Sequence, residues 1–138
     1  MRTRILAVLA GGLAAVALTA VPGPVALAAT GTITGIGGRC VDVAGAATAN
    51  GTAVQLWDCN GTGAQQWSVN ADGTIRALGK CMDVTSAGTA NGTRIQLWDC
   101  NGTGAQQWTV TAARDIVNPA ANKCLDATGQ SSANGTRL

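Results

Sequence analysis

The chain contains no histidine, glutamate, phenylalanine or tyrosine. Without histidine there is no Ser-His-Asp triad and no imidazole for a zinc site. Without glutamate, any carboxyl chemistry rests on seven aspartates, and most of these recur with an internal repeat. Recurring single carboxylates describe equivalent binding positions, whereas a glycosidase needs one asymmetric pair with separated pKa values. No Gly-rich phosphate loop is present. The chain is therefore read as a non-enzyme with no cofactor and no metal. Its only aromatic residues are four tryptophans. A core built on so few large side chains is thin, and covalent staples would help it.

Charge is also scarce, at 12% of residues. Two of the nine basic residues, Arg2 and Arg4, open an apolar run, "ILAVLAGGLAAVALTAV", which ends at Pro22, Gly23 and Pro24 and leads to Ala26-x-Ala28. A basic start, an apolar middle and a small-residue cleavage site make a secretory signal peptide over residues 1–28. A membrane-spanning helix is the competing reading, which the prolines and the cleavage site disfavour. Residues 29–138 then carry seven basic and seven acidic side chains. A neutral chain with no basic cluster fits neither nucleic acid nor an anionic membrane as partner. The mature protein is expected to be secreted and extracellular.

Five cysteines stand at Cys40, Cys59, Cys81, Cys100 and Cys124. The first two pairs share one separation, 19 residues (59 − 40 and 100 − 81). In an exported chain these spacings predict disulfides Cys40–Cys59 and Cys81–Cys100, each closing a loop of about 20 residues worth roughly 3 kcal/mol. Zinc would call for closer cysteine spacing. Cys124 is left unpaired.

Aligned on cysteine, Cys40-Val41-Asp42-Val43 matches Cys81-Met82-Asp83-Val84 and Cys124-Leu125-Asp126-Ala127. Ten residues after each cysteine comes Asn-Gly-Thr, at Asn50, Asn91 and Asn134. Then "QLWDCNGTGAQQW" appears twice without change, from Gln55 and from Gln96. The repeats run over about 32–69, 70–110 and 111–138, the last ending at Leu138 before any counterpart of that stretch. Short β-type runs such as "CVDV", "AVQLW" and "QQWSV" are separated by Asn-Gly and Asp-Gly turns, and no segment has a helical apolar period. Three units of about four strands each point to a closed, threefold-symmetric all-β structure, since two and a half propeller blades would not close.

The combination C-x-D-V, N-G-T, Q-L-W-x-C and Q-x-W, repeated about every 40 residues, resembles the ricin B-chain-type lectins, also classed as family 13 carbohydrate-binding modules. The resemblance covers the chain from about Ile33 onward. It implies a β-trefoil with pseudo-threefold repeats, here with an incomplete third lobe, and a potential sugar pocket with its own disulfide in each lobe. The residue chemistry agrees. A pyranose offers one apolar face of C–H groups and a rim of hydroxyls, which suit an aromatic plate and a bidentate polar group. In the first repeat Trp57 can be the plate and Asp42 the hydroxyl acceptor, with Gln55 and Gln65 either on the rim or holding Asp42. In the second repeat Trp98, Asp83, Gln96 and Gln106 take these roles. The resemblance implies that the aspartate and the aromatic two residues before the second cysteine are the usual contacts.

Each assignment has a structural alternative. Trp67 and Trp108 suit a core better than a ligand. Leu56 and Leu97 alternate with Trp57 and Trp98 and can take the inward positions. Gln65 and Gln106 can be purely structural, and Asp58 and Asp99 are expected to be exposed beside the disulfides. The five Asn-Gly-Thr triplets match the glycosylation pattern but are expected to be turns. Two features depart from the family pattern: Ala64 and Ala105 stand where many functional lobes carry asparagine, and the third repeat has Asp126 but no plate, no glutamine pair and no partner for Cys124. That leaves three readings open: a fragment of a longer gene, a decayed copy, or a protomer completed by another chain or an intermolecular disulfide. The expected ligands are galactosides or xylan- or arabinan-type polymers. A structural or protease-inhibitor trefoil, or the lectin part of a secreted glycoside hydrolase, are the other functions considered.

Overall fold

A computed structural model describes residues 28–138, so the expected signal peptide lies outside the described residues but for its last position. The described residues form eleven short strands: Ala29–Gly31 (β1), Cys40–Val43 (β2), Thr52–Trp57 (β3), Trp67–Val69 (β4), Ile75–Ala77 (β5), Lys80–Val84 (β6), Ile95–Trp98 (β7), Thr109–Val110 (β8), Ile116–Asn118 (β9), Lys123–Cys124 (β10) and Thr136–Arg137 (β11). Helical structure among them is confined to three-residue 3₁₀ turns. With β1, which precedes the first repeat, counted to it, the strands fall four, four and three to the successive repeats, which is a β-trefoil with an incomplete third lobe.

The repeat is reproduced in register. β2 and β3 pair antiparallel with Cys40 opposite Trp57, Val41 opposite Leu56 and Asp42 opposite Gln55. β6 and β7 pair identically, with Cys81 opposite Trp98, Met82 opposite Leu97 and Asp83 opposite Gln96. Side chains alternate across these ribbons. Val54 and Leu56 therefore point to the core, at 0% and 1% exposure, while Trp57 faces out at 40%. Leu97 and Trp98 divide in the same way. Burying each such leucine contributes about 1.5–3 kcal/mol.

The lobes meet at a pseudo-axis. Val54, Ile95 and Leu138 hold the same position in the three repeats, and all are buried. The Leu138 N–H donates to the Val54 carbonyl, and the Ile95 N–H donates to the Leu138 carbonyl. β3 also pairs with β7 and with β11, so the third repeat reaches the centre before Leu138. Trp67 and Trp108 complete the core, each donating its indole N–H to a backbone carbonyl, at Val41 (2.8 Å) and Met82 (3.0 Å). Both predicted disulfides are present, with Cα atoms 5.1 Å apart in each, and Cys124 is free and exposed.

The third lobe departs from the other two at its Cys124–Ala127 tetrad. The C-x-D-V tetrads of the first two repeats are buried throughout, but Cys124 and Asp126 are exposed. Thr52 and Ala53 belong to β3 because β7 lies beside them, whereas the equivalent Thr93 and Arg94 belong to no strand.

Candidate functional site

Two equivalent sites emerge from the two complete ribbons. In the first, Gln55 stands directly across from Asp42 and donates from Nε2 to Asp42 Oδ2 at 2.9 Å. Gln65 arrives from the 3₁₀ turn Gly63–Gln65 and donates from Nε2 to Asp42 Oδ1 at 3.2 Å. In the second, Gln96 and Gln106 donate to Asp83 Oδ1 and Oδ2 at 2.9 and 3.0 Å. Each carboxylate thus has both oxygens fixed by amides, and it is only 5% exposed. A carboxylate offers about four acceptor positions. Two are taken from within, which leaves about two for hydroxyls arriving from solvent.

Gln65 and Gln106 are wholly buried. Gln65 Nε2 also donates to the Asp58 carbonyl at 2.9 Å, and its Oε1 accepts the Asn60 N–H at 2.9 Å. Gln106 repeats this with Asp99 and Asn101. Of the two roles open to these glutamines, holding the aspartate is the one their hydrogen bonds describe. They also tie the segment after Trp57 or Trp98 to the floor of the site. Gln55 and Gln96, by contrast, are half-buried, and each makes a single side-chain hydrogen bond among the described residues, to the aspartate across the ribbon. Ala64 and Ala105 are buried and present only methyl groups.

The tryptophan plates stand two residues along the strand from Gln55 and Gln96, on the same face as Asp42 and Asp83. They are exposed by 40% and 38% and are half-covered from behind. A Cβ on Gly51 would lie 3.9 Å from the Trp98 ring, and one on Gly135 would lie 4.0 Å from the Trp57 ring. Both glycines adopt φ near +87° (88° and 86°), the left-handed region that disfavours other residues. Each therefore belongs to the Asn-Gly-Thr turn of a neighbouring repeat. The Gly51 N–H donates to the Leu97 carbonyl and the Gly135 N–H to the Leu56 carbonyl, each at 2.8 Å.

The asparagine of the same turn grips the residue after the plate. Asn50 Nδ2 donates to Asp99 Oδ2 (2.8 Å), and its Oδ1 accepts the Asp99 N–H (2.9 Å). Asn134 makes the matching pair of bonds to Asp58, at 2.7 and 2.8 Å. Lys80 completes the first cluster by pairing with Asp99, and Arg39 pairs with Asp58 in the other. The Lys80 ammonium, followed by the Asn50 amide, holds the Asp99 carboxyl below its usual 3.8. Asp58 and Asp99 are exposed as expected, but they are also fastened between repeats. The sequence pattern marks Asn50 and Asn134 as turn residues and gives no direct sign of these bonds. The one available signal was that asparagine holds this place in all three repeats, although the turn itself requires only the glycine.

Two half-open clefts lie apart from these sites, against the third repeat, where Asp126 has neither plate nor glutamines beside it. The structure thus brings together all eight expected residues as two quartets, with the aspartates central, the tryptophans outermost and Gln65 and Gln106 beneath.

Solved structures with the same architecture include the agglutinin of Abrus precatorius (33% identity, TM-score 0.74), covering 80% of this chain and 42% of that one. A non-toxic homologue of type II RIPs from Momordica charantia (bitter gourd), solved with α-methyl-D-galactoside, is 30% identical with a TM-score of 0.70, covering 80% of this chain and 41% of its own. The designed threefold-symmetric protein ThreeFoil is 29% identical, with a TM-score of 0.67, over 72% of this chain and 79% of that one. The chain thus spans less than half the length of the two plant proteins. No curated protein sequence matches it significantly. The family model for the ricin-type β-trefoil lectin domain matches residues 29–138, every residue of the two quartets included, and the chain belongs to that family.

Proposed function

We propose that the chain is a secreted, non-catalytic carbohydrate-binding module with two equivalent sugar sites, centred on Asp42 and Asp83. The observation that carries this reading is the repeated quartet: an aspartate with both oxygens pinned by glutamine amides beside an exposed tryptophan on the same face. Asp42 and Asp83 accept two hydroxyls of the sugar rim, and Trp57 and Trp98 stack on its C–H face. Gln55 and Gln96 add an amide at the rim, and Gln65 and Gln106 hold the carboxylates so that little ordering remains to be done on binding.

Galactosides are the favoured sugar class, supported by the ligand of the Momordica relative. Xylan- and arabinan-type polymers share the same face-and-rim chemistry and come second. Two disulfides and the lectin domain support an extracellular setting. Each site should hold a monosaccharide with Kd on the order of 1 mM, or about −4 kcal/mol. Polymers engaging both sites should bind more tightly through raised effective concentration. Isothermal titration with methyl galactoside, then with galacto-, xylo- and arabino-oligosaccharides of increasing length, tests the reading. Folded, oxidised protein that gives no heat with any of them refutes it.

A further inference from the structure

Each outward tryptophan ends its strand, and the residue after it is held from two repeats. β7 ends at Trp98, and the Asp99 carbonyl accepts from Gln106 Nε2 of the same repeat at 2.9 Å. The Asp99 N–H donates instead to Asn50 Oδ1 of the first repeat, also at 2.9 Å. β3 ends at Trp57, and Asp58 is held in the same fashion. Its carbonyl accepts from Gln65 at 2.9 Å, and its N–H donates to Asn134 of the third repeat at 2.8 Å.

The asparagine side chains are fixed in turn. Asn50 Nδ2 donates to Asp99 Oδ2, and Lys80 Nζ donates to Asn50 Oδ1 (2.8 Å) and to Asp99 Oδ1. The backbone after Asn50 closes on two members of the second quartet. A Cβ on Gly51 would lie 3.9 Å from both the Trp98 ring and Gln96 Oε1. The strand that follows runs beside the same quartet, with Ala53 paired to Gln96. At the first quartet, Gly135 lies against the Trp57 ring, and Arg137 pairs with Gln55.

We infer that each sugar site is built across a boundary between repeats, with Asn50 a positioning residue for the Asp83–Trp98 site and Asn134 a positioning residue for the Asp42–Trp57 site. The inference rests on the reading of the quartets as sugar sites, and it adds to each a wall from a repeat that supplies none of the quartet. The physical reason lies in the ring. A plate stacks on a sugar only when its plane is set relative to the carboxylate that takes the hydroxyls. The carboxylate is set from within the repeat, by two amides. The ring is open on its outer side, and the backbone just after it takes its lateral support from the neighbouring asparagine. Without that support, ordering the ring falls to the sugar, and ordering a side chain on binding lowers affinity. The assignments therefore cross: a residue of the first repeat serves the second site, and one of the third serves the first.

Titration of the oxidised chain with methyl galactoside tests this, with Asp42→Ala isolating the second site and Asp83→Ala the first. Asn50→Ala should weaken the second site by about three- to tenfold and leave the first within about twofold, and Asn134→Ala should do the reverse. A loss of stability alone would not follow this crossed pattern. An exchange of charge supplies the rescue. Asn50→Asp sets a second carboxylate against Asp99 and should weaken the second site. Adding Asp99→Asn restores one amide, one carboxylate and a partner for Lys80, and should return the affinity to within about twofold of the parent. An arm without sugar reads the ring directly. In Trp57→Phe protein, acrylamide should quench Trp98 more strongly after Asn50→Ala and no more strongly after Asn134→Ala. A parent that binds no galactoside refutes the reading of the quartets, and the quenching arm still decides the positioning. Sites that weaken together, an exchange that fails to restore the second site, or quenching of Trp98 that ignores Asn50 overturns the inference.

Discussion

Replacing Gln65 by alanine tests how far the sugar site and the fold are one construction. Gln65 makes three hydrogen bonds with no exposure of its own: to Asp42 Oδ1, to the Asp58 carbonyl and from the Asn60 N–H. A bond to a charged group is worth about 1.5–3 kcal/mol and each neutral one about 1 kcal/mol, so truncation costs roughly 3.5–5 kcal/mol. For a domain of this size the melting temperature should fall by roughly 15–20 °C. Gln66 is the control, because it is exposed and its side chain makes no hydrogen bond; Gln66→Ala should melt within about 2 °C of the parent. Below its own melting temperature, Gln65→Ala should also lose the first sugar site, since Asp42 is then held by Gln55 alone, and keep the second. Fluorescence-monitored melts and titration calorimetry on the oxidised protein read both effects. A Gln65→Ala protein that melts within about 4 °C of the parent and retains two sites would refute the reasoning.

Asp42→Ala and Asp83→Ala should each halve the sugar stoichiometry, and the double variant should not bind; loss of all binding in a folded Asp42→Ala protein would sink the two-site reading. Trp57→Ala should weaken the first site by about tenfold, or 1.4 kcal/mol, with little effect on stability because the ring is half exposed; calorimetry on an Asp83→Ala background isolates that site. The Asp99 carboxyl is held below its usual value when folded, so the stability it contributes is present above that value and is lost as pH falls through the folded one. The difference in melting temperature between the parent and Asp99→Asn should accordingly shrink as pH is lowered from about 6 to about 2. Thiol counting on the denatured, unreduced chain should find one reactive cysteine, Cys124, and a count of three or five would mean that a bridge had not formed.

What the sequence made legible was whatever repeats or alternates locally. The 19-residue cysteine spacing foretold both bridges. The order Leu56-Trp57 and Leu97-Trp98 foretold which ring turns outward, because a strand has only two faces. Trp67 and Trp108, the tryptophans of the Q-x-W elements, were legible as core and are buried. The division of labour between Gln55 and Gln65 was not legible. Both bind Asp42, but one lies on the open ribbon and the other under a 3₁₀ turn. The bonds from Asn50 to Asp99 and from Asn134 to Asp58 span 49 and 76 residues. They depend on how lobes are arranged around the axis, which no local pattern encodes. The expectation that Asn-Gly-Thr forms turns held for the glycine's backbone and missed the asparagine's grip.

That grip always runs in one direction around the ring. The turn of the first repeat clasps the second, and the turn of the third clasps the first. The first repeat therefore carries both halves of such a joint, one at its Asn-Gly-Thr and the other at its Trp-Asp-Cys, and the second repeat has the same two motifs. Such a unit can be duplicated or exchanged by recombination without rewriting a boundary, provided that both halves stay the same. The unchanged recurrence of thirteen residues is then a compatibility standard. A substitution in one copy must suit the joint it makes with a different copy, so the two stretches are tied to one another through their neighbours.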